Sequence, residues 1–408
     1  MFALLQDLRV VEAASFVAGP SCGLHLSQMG AEVIRLDQMG GGPDFHRWPR
    51  AESGASYYWE GLNKGKKSVA IDFSKLEGRE LAVAIATAPG KNAGLFVTNF
   101  PANGFLSYDH LSSARKDLIC LRIMGWADGV QAVDYTINAA VGLPLMTGHD
   151  DDDRPVNHVL PAWDLLAGAY GAFSLLSAER ARRASGSGRE LQLALSDLAA
   201  GFLGHLGQVA EVTAPGADRP RSGNDLFGAF GRDFVTRDGE RLMVVAISAR
   251  QWQGLVEALG LVESLSALEK ELGVSFAKDE GLRYIYRARL LPLFQAAIAA
   301  RNASSLAHDF AAHGVCWSRY QPLSHAVACD ARLFTQNPIF SMLTNPSGHR
   351  YLTPGAPVRI PGETRRATAL APRLGEHTDE ILSTLLKLPG AEIGRLHDRG
   401  VIAGAARP

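Results

Sequence analysis

An aspartate at the predicted start of a long apolar helix is the residue best suited to covalent chemistry. Asp164 follows Pro161, which disfavours helix in the residue before it and suits a helix entrance. Apolar residues recur at helical spacing between 165 and 176, and the helix is expected to end near Arg183, before the turn at 185–188. A carboxylate at a helix N-terminus is favoured in its ionised form, which suits a helix cap and equally suits a nucleophile.

The neighbours of Asp164 favour catalysis over simple capping. Taken alone, an aspartate at a helix start is most often only a cap. Trp163 and His158, however, flank this carboxylate in the sequence. Because a large aromatic side chain beside a polar helix entrance is unusual for a surface cap, Asp164 is the first candidate for a nucleophile.

The composition of the chain excludes several classes of protein. Of its 408 residues, 47% are hydrophobic, which is enough for a large core and more than one domain. The formal net charge of −1 provides no basic field for nucleic acid or for a membrane surface. No run of roughly 18 uninterrupted apolar residues is present, so we expect no transmembrane helix.

The cysteines and the first residues indicate a cytoplasmic protein. Charged residues at positions 7, 9 and 12 interrupt the first apolar run and no basic segment precedes it, so no signal peptide is expected. The cysteines lack CxxC spacing and are too few for a disulfide scaffold. They are Cys22, Cys120, Cys316 and Cys329.

The elements that must position Asp164 begin with a β-α-β unit. Residues 8–13 predict a buried strand, a helix follows through Met29, and residues 31–37 predict a second strand, which together favour a parallel sheet. Asp37, at the end of the second strand, is typical of a dinucleotide-binding fold, but the nearby glycines do not form G-x-G-x-x-G. A nicotinamide-dependent oxidoreductase is therefore the alternative of another class, and a binding test with NADH and CoA would separate the two.

Two charged segments are expected to be solvated. Lys64, Lys66 and Lys67 lie in a loop before a predicted strand, which is more typical of a surface, although such a loop could also hold phosphates. The acidic loop at 149–153 has metal-ligand residue types. It has no spaced partner cluster and no EF-hand pattern, so no metal site is expected.

The first domain is expected to close with a strand and a helix. Residues 189–197 predict the strand, and Ser196-Asp197 is expected to cap a helix that runs through Gln208. A loop rich in proline and glycine, from Pro215 to Gly223, marks a domain boundary.

Motifs spread over nearly the whole chain resemble those of the family III CoA-transferases. The similar segments are VAGPSCGLHLSQMGAEVIRLD, GGGPDFHRWP, LNKGKKS, APRLGEHTDEIL and EIGRLHDRGVI. Two turns depart from the family pattern. After Asn99-Phe100-Pro101 the family continues with arginine or proline and then Pro-Gly, whereas this chain reads Ala102-Asn103-Gly104. The loop at 125–129 also differs from the family pattern.

The resemblance implies a fold and an assembly. We expect an α/β protein with a Rossmann-like parallel-sheet large domain, whose first part covers 1–212, and a smaller α+β domain over 213–320. Residues 321–408 are expected to return to the large domain. The subunit would be ring-shaped, and two subunits would form an interlocked homodimer.

The resemblance also implies roles for individual residues. Asp164 would carry the acyl group and then CoA, and no cofactor or metal is implied beyond the CoA of the acyl-CoA substrate. The expected CoA-binding residues are Phe16, Val17, Gln38, Lys67, Ile71, Asn99, Phe100 and Ala102. The expected substrate-binding residues are His46, Arg47, Arg50, Tyr58 and His158. In related racemases a proton-transferring histidine stands at the position of Val133, so racemisation is not expected.

A carboxylate nucleophile suits CoA transfer for an energetic reason. An aspartate that attacks a thioester forms a mixed anhydride and releases the CoA thiolate, which can then attack the aspartyl carbonyl. Each intermediate is at least as activated as the substrate, whereas a serine ester would not easily regenerate a thioester. Water must be excluded because it would hydrolyse the anhydride. The aromatic residues that could line the site and exclude water are Phe16, Trp48, Tyr58 and Trp163.

Several segments resemble one subgroup of the family most closely. They include GLNKGK, VDYTINAAVGLPLMTG and VNHVLPAWD. This subgroup moves CoA between the two carboxyl groups of one molecule of mesaconyl-CoA (2-methylfumaryl-CoA), and we expect this intramolecular transfer here. The alternatives are an intermolecular transferase for another acid pair and a non-catalytic CoA-binding subunit.

Overall fold

The chain folds into an α/β structure, a computed structural model that describes residues 1–214 and 216–405. The strands of this part are β1 (Arg9–Ala13), β2 (Glu32–Gln38), β3 (Lys67–Ile71), β4 (Leu95–Thr98), β5 (Ile119–Met124), β6 (Arg189–Ala194), β7 (Phe230–Val235), β8 (Arg241–Ala246), β9 (Cys316–Arg319), β10 (Phe340–Thr344), β11 (Arg350–Pro354) and β12 (Ile402–Ala403). None of the helices in these two ranges is both long enough and apolar enough to cross a membrane.

The helices surround these strands in chain order. They are α1 (Ala18–Gln28), α2 (Tyr57–Leu62), α3 (Leu76–Ala86), α4 (Tyr108–Ala114), α5 (Asp134–Ala140), α6 (Leu143–Met146), α7 (Ala162–Ser185), α8 (Leu195–His205), α9 (Gln208–Thr213), α10 (Ala249–Ala258), α11 (Val262–Leu272), α12 (Glu280–Ile285), α13 (Arg287–Ala299), α14 (Ala303–His313), α15 (Leu323–Cys329), α16 (Thr378–Thr384) and α17 (Gly390–Asp398).

A seven-stranded sheet organises the larger part of the molecule. Its strand order is β12-β3-β2-β1-β4-β5-β6, and every pairing is parallel except that of β12 with β3. The six parallel strands follow the order 3-2-1-4-5-6 of the doubly wound nucleotide-binding folds, so the predicted Rossmann-like sheet is confirmed. The order reverses between β1 and β4, and ligands of such folds bind at the carboxyl ends of the strands on either side of this reversal.

The central strands form because their side chains are apolar on both faces. Val10 and Val11 of β1 and Phe96 and Val97 of β4 are all buried. Continuous apolar runs of this kind are typical of parallel strands that helices cover on both sides.

Two compact units make up the chain. The first comprises Met1–Val141, His158–Gly216 and Phe334–Pro408, and the second comprises Gly142–Asn157 and Ala217–Leu333. The second unit contains the antiparallel sheet β7-β8-β9 and helices α10 to α14, an α+β arrangement. The C-terminal segment belongs to the first unit, where Ile402 of β12 pairs with Ile71 of β3.

The segment 142–157 belongs to the second unit, although the predicted first domain, 1–212, included it. Arg221 explains this placement because its guanidinium donates hydrogen bonds to four backbone oxygens between 145 and 154. Pro215, the first residue of the predicted boundary loop, lies outside the described residues.

The lysine loop before β3 is largely buried, so the prediction of a solvated loop was wrong. Lys64 and Lys66 are only 5% and 3% exposed. The Lys66 ammonium donates to both carboxylate oxygens of Glu12, at 3.0 and 2.9 Å, and to the Pro20 carbonyl at 2.8 Å. Charge spacing along the chain could not reveal this pair, because Glu12 lies on a distant strand.

Arg35 of β2 is the centre of a buried ionic network. Its guanidinium donates to Glu12 Oε1 at 3.0 Å, to Asp37 Oδ1 at 2.7 Å and to Asp44 Oδ2 at 2.7 Å. The same group lies 4.6 Å from the centre of the Trp59 ring. Buried charges are tolerated when they are paired and hydrogen-bonded. Since Asp44 follows the glycines at 40–42, the network fixes that glycine-rich loop against the sheet.

Helix α8 begins earlier than predicted. Strand β6 ends at Ala194 and α8 starts at the next residue, so Ser196-Asp197 lies inside the helix and does not cap it. The Ser196 N–H instead donates to the Gly125 carbonyl at 3.1 Å. The absence of a linker between strand and helix leaves no room for the predicted cap.

Two glycines allow α7 to pack closely against its neighbours. A Cβ on Gly168 would overlap the Ser21 hydroxyl and lie 3.1 Å from the Ala18 carbonyl of α1. A Cβ on Gly171 would lie 2.9 Å from the side chain of Leu121 in β5. Crossover helices of a parallel sheet start at its carboxyl edge, so the first turns of α1 and α7 lie side by side there.

We expect Gly168→Ala to lower the free energy of unfolding by about 1–3 kcal/mol, because the added methyl group overpacks the contact between α1 and α7. Gly201→Ala in α8 is the matched control, since a Cβ there meets nothing within 4 Å. That control should raise the free energy of unfolding by up to about 1 kcal/mol through helix propensity. Urea denaturation measures both, and a neutral Gly168→Ala would contradict the close packing.

Candidate active site

Asp164 lies in the first turn of α7, at the carboxyl edge of the sheet. The opposite end of this helix is anchored at the amino edge, where Arg182 donates to the carbonyls of Ala93 and Asp117 at 2.8 and 3.0 Å. Pro161 is the N-cap residue and provides no side-chain hydrogen bond. The N–H groups of the first turn therefore need an acceptor from elsewhere in the chain.

Asp134, at the start of α5, provides that acceptor. Its Oδ2 accepts from the N–H of Trp163 at 2.6 Å and from the N–H of Asp164 at 3.1 Å. The indole N–H of Trp163 donates to Asn138 Oδ1 at 3.2 Å, one turn further along α5. Three hydrogen bonds to side chains of α5 thus fix the start of α7, and with it the orientation of Asp164.

The surroundings of Asp164 oppose its ionisation. Burial, and then the negative charge of Asp134, raise the pKa of the Asp164 carboxyl to about 7. The sequence predicted an ionised carboxylate because a helix N-terminus favours negative charge. That effect amounts to about 0.3–1 kcal/mol, whereas burial can shift a carboxyl pKa by several units, so burial dominates.

His158 is held by Asp134. Its Nε2 lies 2.5 Å from Asp134 Oδ1, and its ring meets the Tyr135 ring edge-on with centres 5.6 Å apart. The structure thus places His158 beside the start of α7, with Nε2 engaged by Asp134.

Arg47 provides a positive charge that lies next to the ring of Tyr58. The guanidinium of Arg47 lies 5.5 Å from the centre of the Tyr58 ring and 5.8 Å from that of Phe16. Burial raises the pKa of Tyr58 to about 12, while the positive charge of Arg47 lowers this pKa and the negative charge of Asp164 raises it. Within residues 1–214 and 216–405, Arg47 forms no salt bridge, so its charge is available to an anion.

Two other substrate candidates are directed elsewhere. The His46 Nε2 lies 2.9 Å from the carbonyl of Gly40 in its own loop. The Arg50 guanidinium lies over the Trp48 ring, at 5.8 Å from its centre, and Trp48 is 73% exposed. The structure thus connects His158 to the start of α7 through Asp134 and pairs Arg47 with the ring of Tyr58, and the substrate-binding roles of all five residues stay predictions.

Most of the predicted CoA-binding residues lie at the carboxyl edge. Gln38 and Ile71 end β2 and β3, Val17 is the cap residue of α1, and Phe16 precedes it. The three remaining residues at this edge follow β4 directly. They are Asn99, Phe100 and Ala102.

Lys67 lies apart from these residues. It begins β3, at the opposite edge of the sheet, and its ammonium donates to Glu32 at 2.8 Å and to Glu380 at 2.7 Å. Its role in CoA binding stays a prediction that these two ion pairs do not favour.

Asp134 is a residue of the candidate site to which the sequence assigned no role. An acidic residue between an extended segment and a short helix indicates a helix start. The sequence does not indicate which other groups that residue contacts. The contact with α7 spans 30 residues of sequence, and only the packing of α5 against α7 brings the two together.

Potential metal ligands do not cluster in the described part of the chain. Across residues 1–214 and 216–405, no group of three or more His, Cys, Asp or Glu side chains could hold a metal ion. The acidic loop at 149–153 is included in these ranges.

The sheet and the half-buried aspartate at its carboxyl edge define a Rossmann-type protein with a candidate carboxylate nucleophile. The sequence matches the model of CoA-transferase family III over residues 5–378, and the chain belongs to that family. The nicotinamide-dependent oxidoreductase alternative is therefore set aside.

Named relatives and solved structures agree with this membership. The 2-methylfumaryl-CoA isomerase of Chloroflexus aurantiacus is 47% identical over 408 residues, which cover 100% of both chains. The human succinyl-CoA:glutarate CoA-transferase is 23% identical over 98% of this chain and 90% of the relative. A CAIB/BAIF family protein from Brucella suis has a similar structure, with a TM-score of 0.74, 25% identity, and coverage of 94% of this chain and 99% of that chain.

We expect the rate of acyl transfer to depend on the charge of Asp134. For wild type, kcat/KM should rise as the pH increases through about 7, because the nucleophile must lose its proton and the pKa of Asp164 is about 7. Asp134→Asn removes the negative charge, so the acidic limb should move to lower pH while burial still keeps the pKa of Asp164 above its ordinary value.

A second histidine–aspartate pair provides the control for this prediction. The His397 Nε2 lies 2.7 Å from Asp379 Oδ1 on the surface helices α16 and α17. Asp379→Asn should leave the pH profile unchanged. An unshifted profile for Asp134→Asn, with activity retained, would show that Asp134 does not influence the titration of Asp164.

Proposed function

We propose that this protein transfers CoA from the C1 to the C4 carboxyl group of a single mesaconyl-CoA (2-methylfumaryl-CoA) molecule. The observation that carries this proposal is the 47% identity over the full chain to the Chloroflexus 2-methylfumaryl-CoA isomerase. The site agrees with it, since a carboxylate nucleophile and an available arginine lie on the same edge of the sheet. No cofactor is proposed beyond the CoA of the substrate.

The reaction has four covalent steps. The Asp164 carboxylate attacks the C1 thioester carbonyl, the C–S bond breaks, and CoA leaves as a thiolate, which gives a mixed anhydride. The thiolate then attacks Cγ of Asp164, and mesaconate is released as a carboxylate. In this step mesaconate leaves the anhydride, and the aspartyl–CoA thioester is what remains on the enzyme. The C4 carboxylate attacks this thioester, its C–S bond breaks to release the CoA thiolate and form a second anhydride, and the thiolate attacks the C4 carbonyl of that anhydride. The last step regenerates the Asp164 carboxylate.

The N-termini of the helices at the carboxyl edge can stabilise the negative charge that develops during the reaction. Each attack produces an oxyanion, and helix N-termini present N–H groups and a positive dipole end to such a charge. The first turns of α1 and α7 lie side by side, and α1 has no side-chain cap at Val17. We propose that the N–H groups at the start of α1 receive the oxyanion.

Arg47 is our candidate for holding the second carboxylate of the diacid. Its guanidinium is placed by the rings of Tyr58 and Phe16 and has no carboxylate partner within the described residues. A guanidinium binds a carboxylate through paired, charge-assisted hydrogen bonds. Held in this way, the released diacid would stay in the site until its other carboxyl group reacts.

The exposed apolar side chains of α7 to α9 support the homodimer that we propose. Tyr170, Phe173, Leu206, Val209 and Val212 are all exposed. A group of large apolar side chains on the surface commonly marks a protein interface. We propose that a second copy of this chain covers them.

We also propose that the protein acts in the cytoplasm. All four of its cysteines are free thiols in the structure, two of them buried. Free thiols of this kind agree with a reducing compartment.

An isotope experiment tests the proposed reaction. The protein is incubated with C1-mesaconyl-CoA and isotopically labelled free mesaconate, and the products are followed by mass. Unlabelled C4-mesaconyl-CoA is expected, because the CoA stays with the molecule that delivered it. Labelled product would mean that free acid enters and that the protein is an intermolecular transferase.

Asp164→Asn should bind CoA without turnover, and full activity of this variant would overturn the mechanism.

We expect Arg47→Gln to lower kcat/KM by about 10- to 100-fold, the equivalent of one charged hydrogen-bonding group. The same variant should admit labelled free mesaconate into the product, because the diacid is no longer retained. Arg50→Gln is the comparison, since that guanidinium lies over the exposed ring of Trp48, and its effect should be much smaller. Equal effects of the two substitutions would contradict the assignment of Arg47.

A further inference from the structure

Arg122 is a buried arginine beneath the carboxyl edge of the sheet. It lies in β5, opposite Thr98 of β4, and is 1% exposed. Its Nη1 donates to the carbonyls of Phe100 and Pro101 at 2.7 and 3.0 Å, and its Nε donates to Glu190 of β6 at 2.9 Å. The guanidinium therefore fixes the turn after β4 from two neighbouring strands.

Asn99 connects this turn to the loop between β1 and α1. Its Oδ1 accepts from the Ser15 N–H at 3.1 Å, and its Nδ2 donates to the Ser15 carbonyl at 2.9 Å. The paired register of β1 and β4 ends at Ala13 and Thr98. The Asn99 amide thus continues the pairing beyond the strands, with both of its polar atoms engaged by a single residue.

The next residue of that loop has an unfavourable backbone conformation. Phe16 has φ of +66°, in the left-handed region that side chains with a Cβ rarely adopt. Such a conformation costs about 1–3 kcal/mol and persists only where the surroundings fix it. The hydrogen bonds of Asn99 to Ser15 hold the adjacent peptide groups, and the Phe16 ring lies against Arg47.

We propose that Arg122 is a positioning residue for the transfer reaction. It holds the Asn99–Pro101 turn, and through Asn99 it holds the loop that carries Phe16 and the start of α1 beside the nucleophile helix. Asn99 therefore acts through the backbone of Ser15. This inference rests on the proposed function, because it assumes that this edge of the sheet binds the acyl-CoA.

A matched buried arginine belongs to the second unit. Arg283 of α12 is 1% exposed and donates to the carbonyls of Phe276, Ala246 and Ile247 at 2.7, 3.1 and 2.7 Å. The two arginines thus have the same burial and the same kind of backbone contacts, but only Arg122 lies beneath the carboxyl edge of the sheet.

The test compares Arg122→Met with Arg283→Met in the full-length protein. Both variants should lower the melting temperature, because each removes a buried guanidinium from backbone carbonyls. Arg122→Met should also lower kcat/KM for mesaconyl-CoA by about 100-fold, the effect of a displacement of about 1 Å in a reacting site. Arg283→Met should leave kcat/KM unchanged. Equal losses of activity in the two variants, or no loss in Arg122→Met, would overturn the proposal.

Two further variants keep the test decisive if Arg122→Met does not fold. Arg122→Lys retains a cation that can donate to one carbonyl, and its kcat/KM should lie between those of wild type and Asn99→Ala. Adding Arg122→Lys to Asn99→Ala should cause little further loss, because both residues act through one turn. Fully additive losses would contradict the proposed connection.

The outcome for wild type separates this inference from the proposed function. If wild type does not convert mesaconyl-CoA, the proposed function fails. The Kd for CoA, measured by calorimetry, then replaces kcat/KM in the same comparison of Arg122→Met with Arg283→Met. Weaker CoA binding by Arg122→Met alone would support the positioning role, and equal Kd values would overturn it.

Discussion

The arrangement of the site depends on the guanidinium of Arg35. It is fully buried in β2, and its hydrogen bonds join β1, through Glu12, to the glycine-rich loop, through Asp44. Leaving a buried charge without its partner destabilises a protein by about 3–5 kcal/mol, so such a network holds its members firmly. Because Arg47 lies three residues after Asp44, the same network keeps the cation of the site near Tyr58.

A second constraint is the conflict between position and burial at Asp164. The helix start favours the carboxylate, whereas burial and Asp134 favour the protonated acid, and the pKa of about 7 shows that burial prevails. Asp134 is nevertheless required by the geometry, because it accepts the N–H groups that α7 cannot satisfy by itself. The candidate nucleophile is thus oriented by the same group that makes it harder to ionise, as expected where a reactive carboxylate must be kept from water.

Sequence reasoning succeeded where the signal was local. The β-α-β opening, the strand predicted at 189–197 and the helix that begins beside Asp164 all follow from periodicity and from proline and glycine positions, and the structure has them within a few residues. It failed where a partner is distant. The burial of Lys66 depends on Glu12, and the start of α8 depends on the turn at Gly125.

The sequence by itself determined the class of fold, the family and the identity of the candidate nucleophile, because apolar periodicity and motif spacing are written along the chain. Only the tertiary structure decided which charged side chains meet Asp164, that Asp134 caps its helix, and that Asn99 and Arg122 fix the loop of Phe16. The physical reason is that hydrogen bonds and burial join residues 20 to 90 positions apart on different elements, and the burial of a charge, which sets its pKa, exists only once those elements pack.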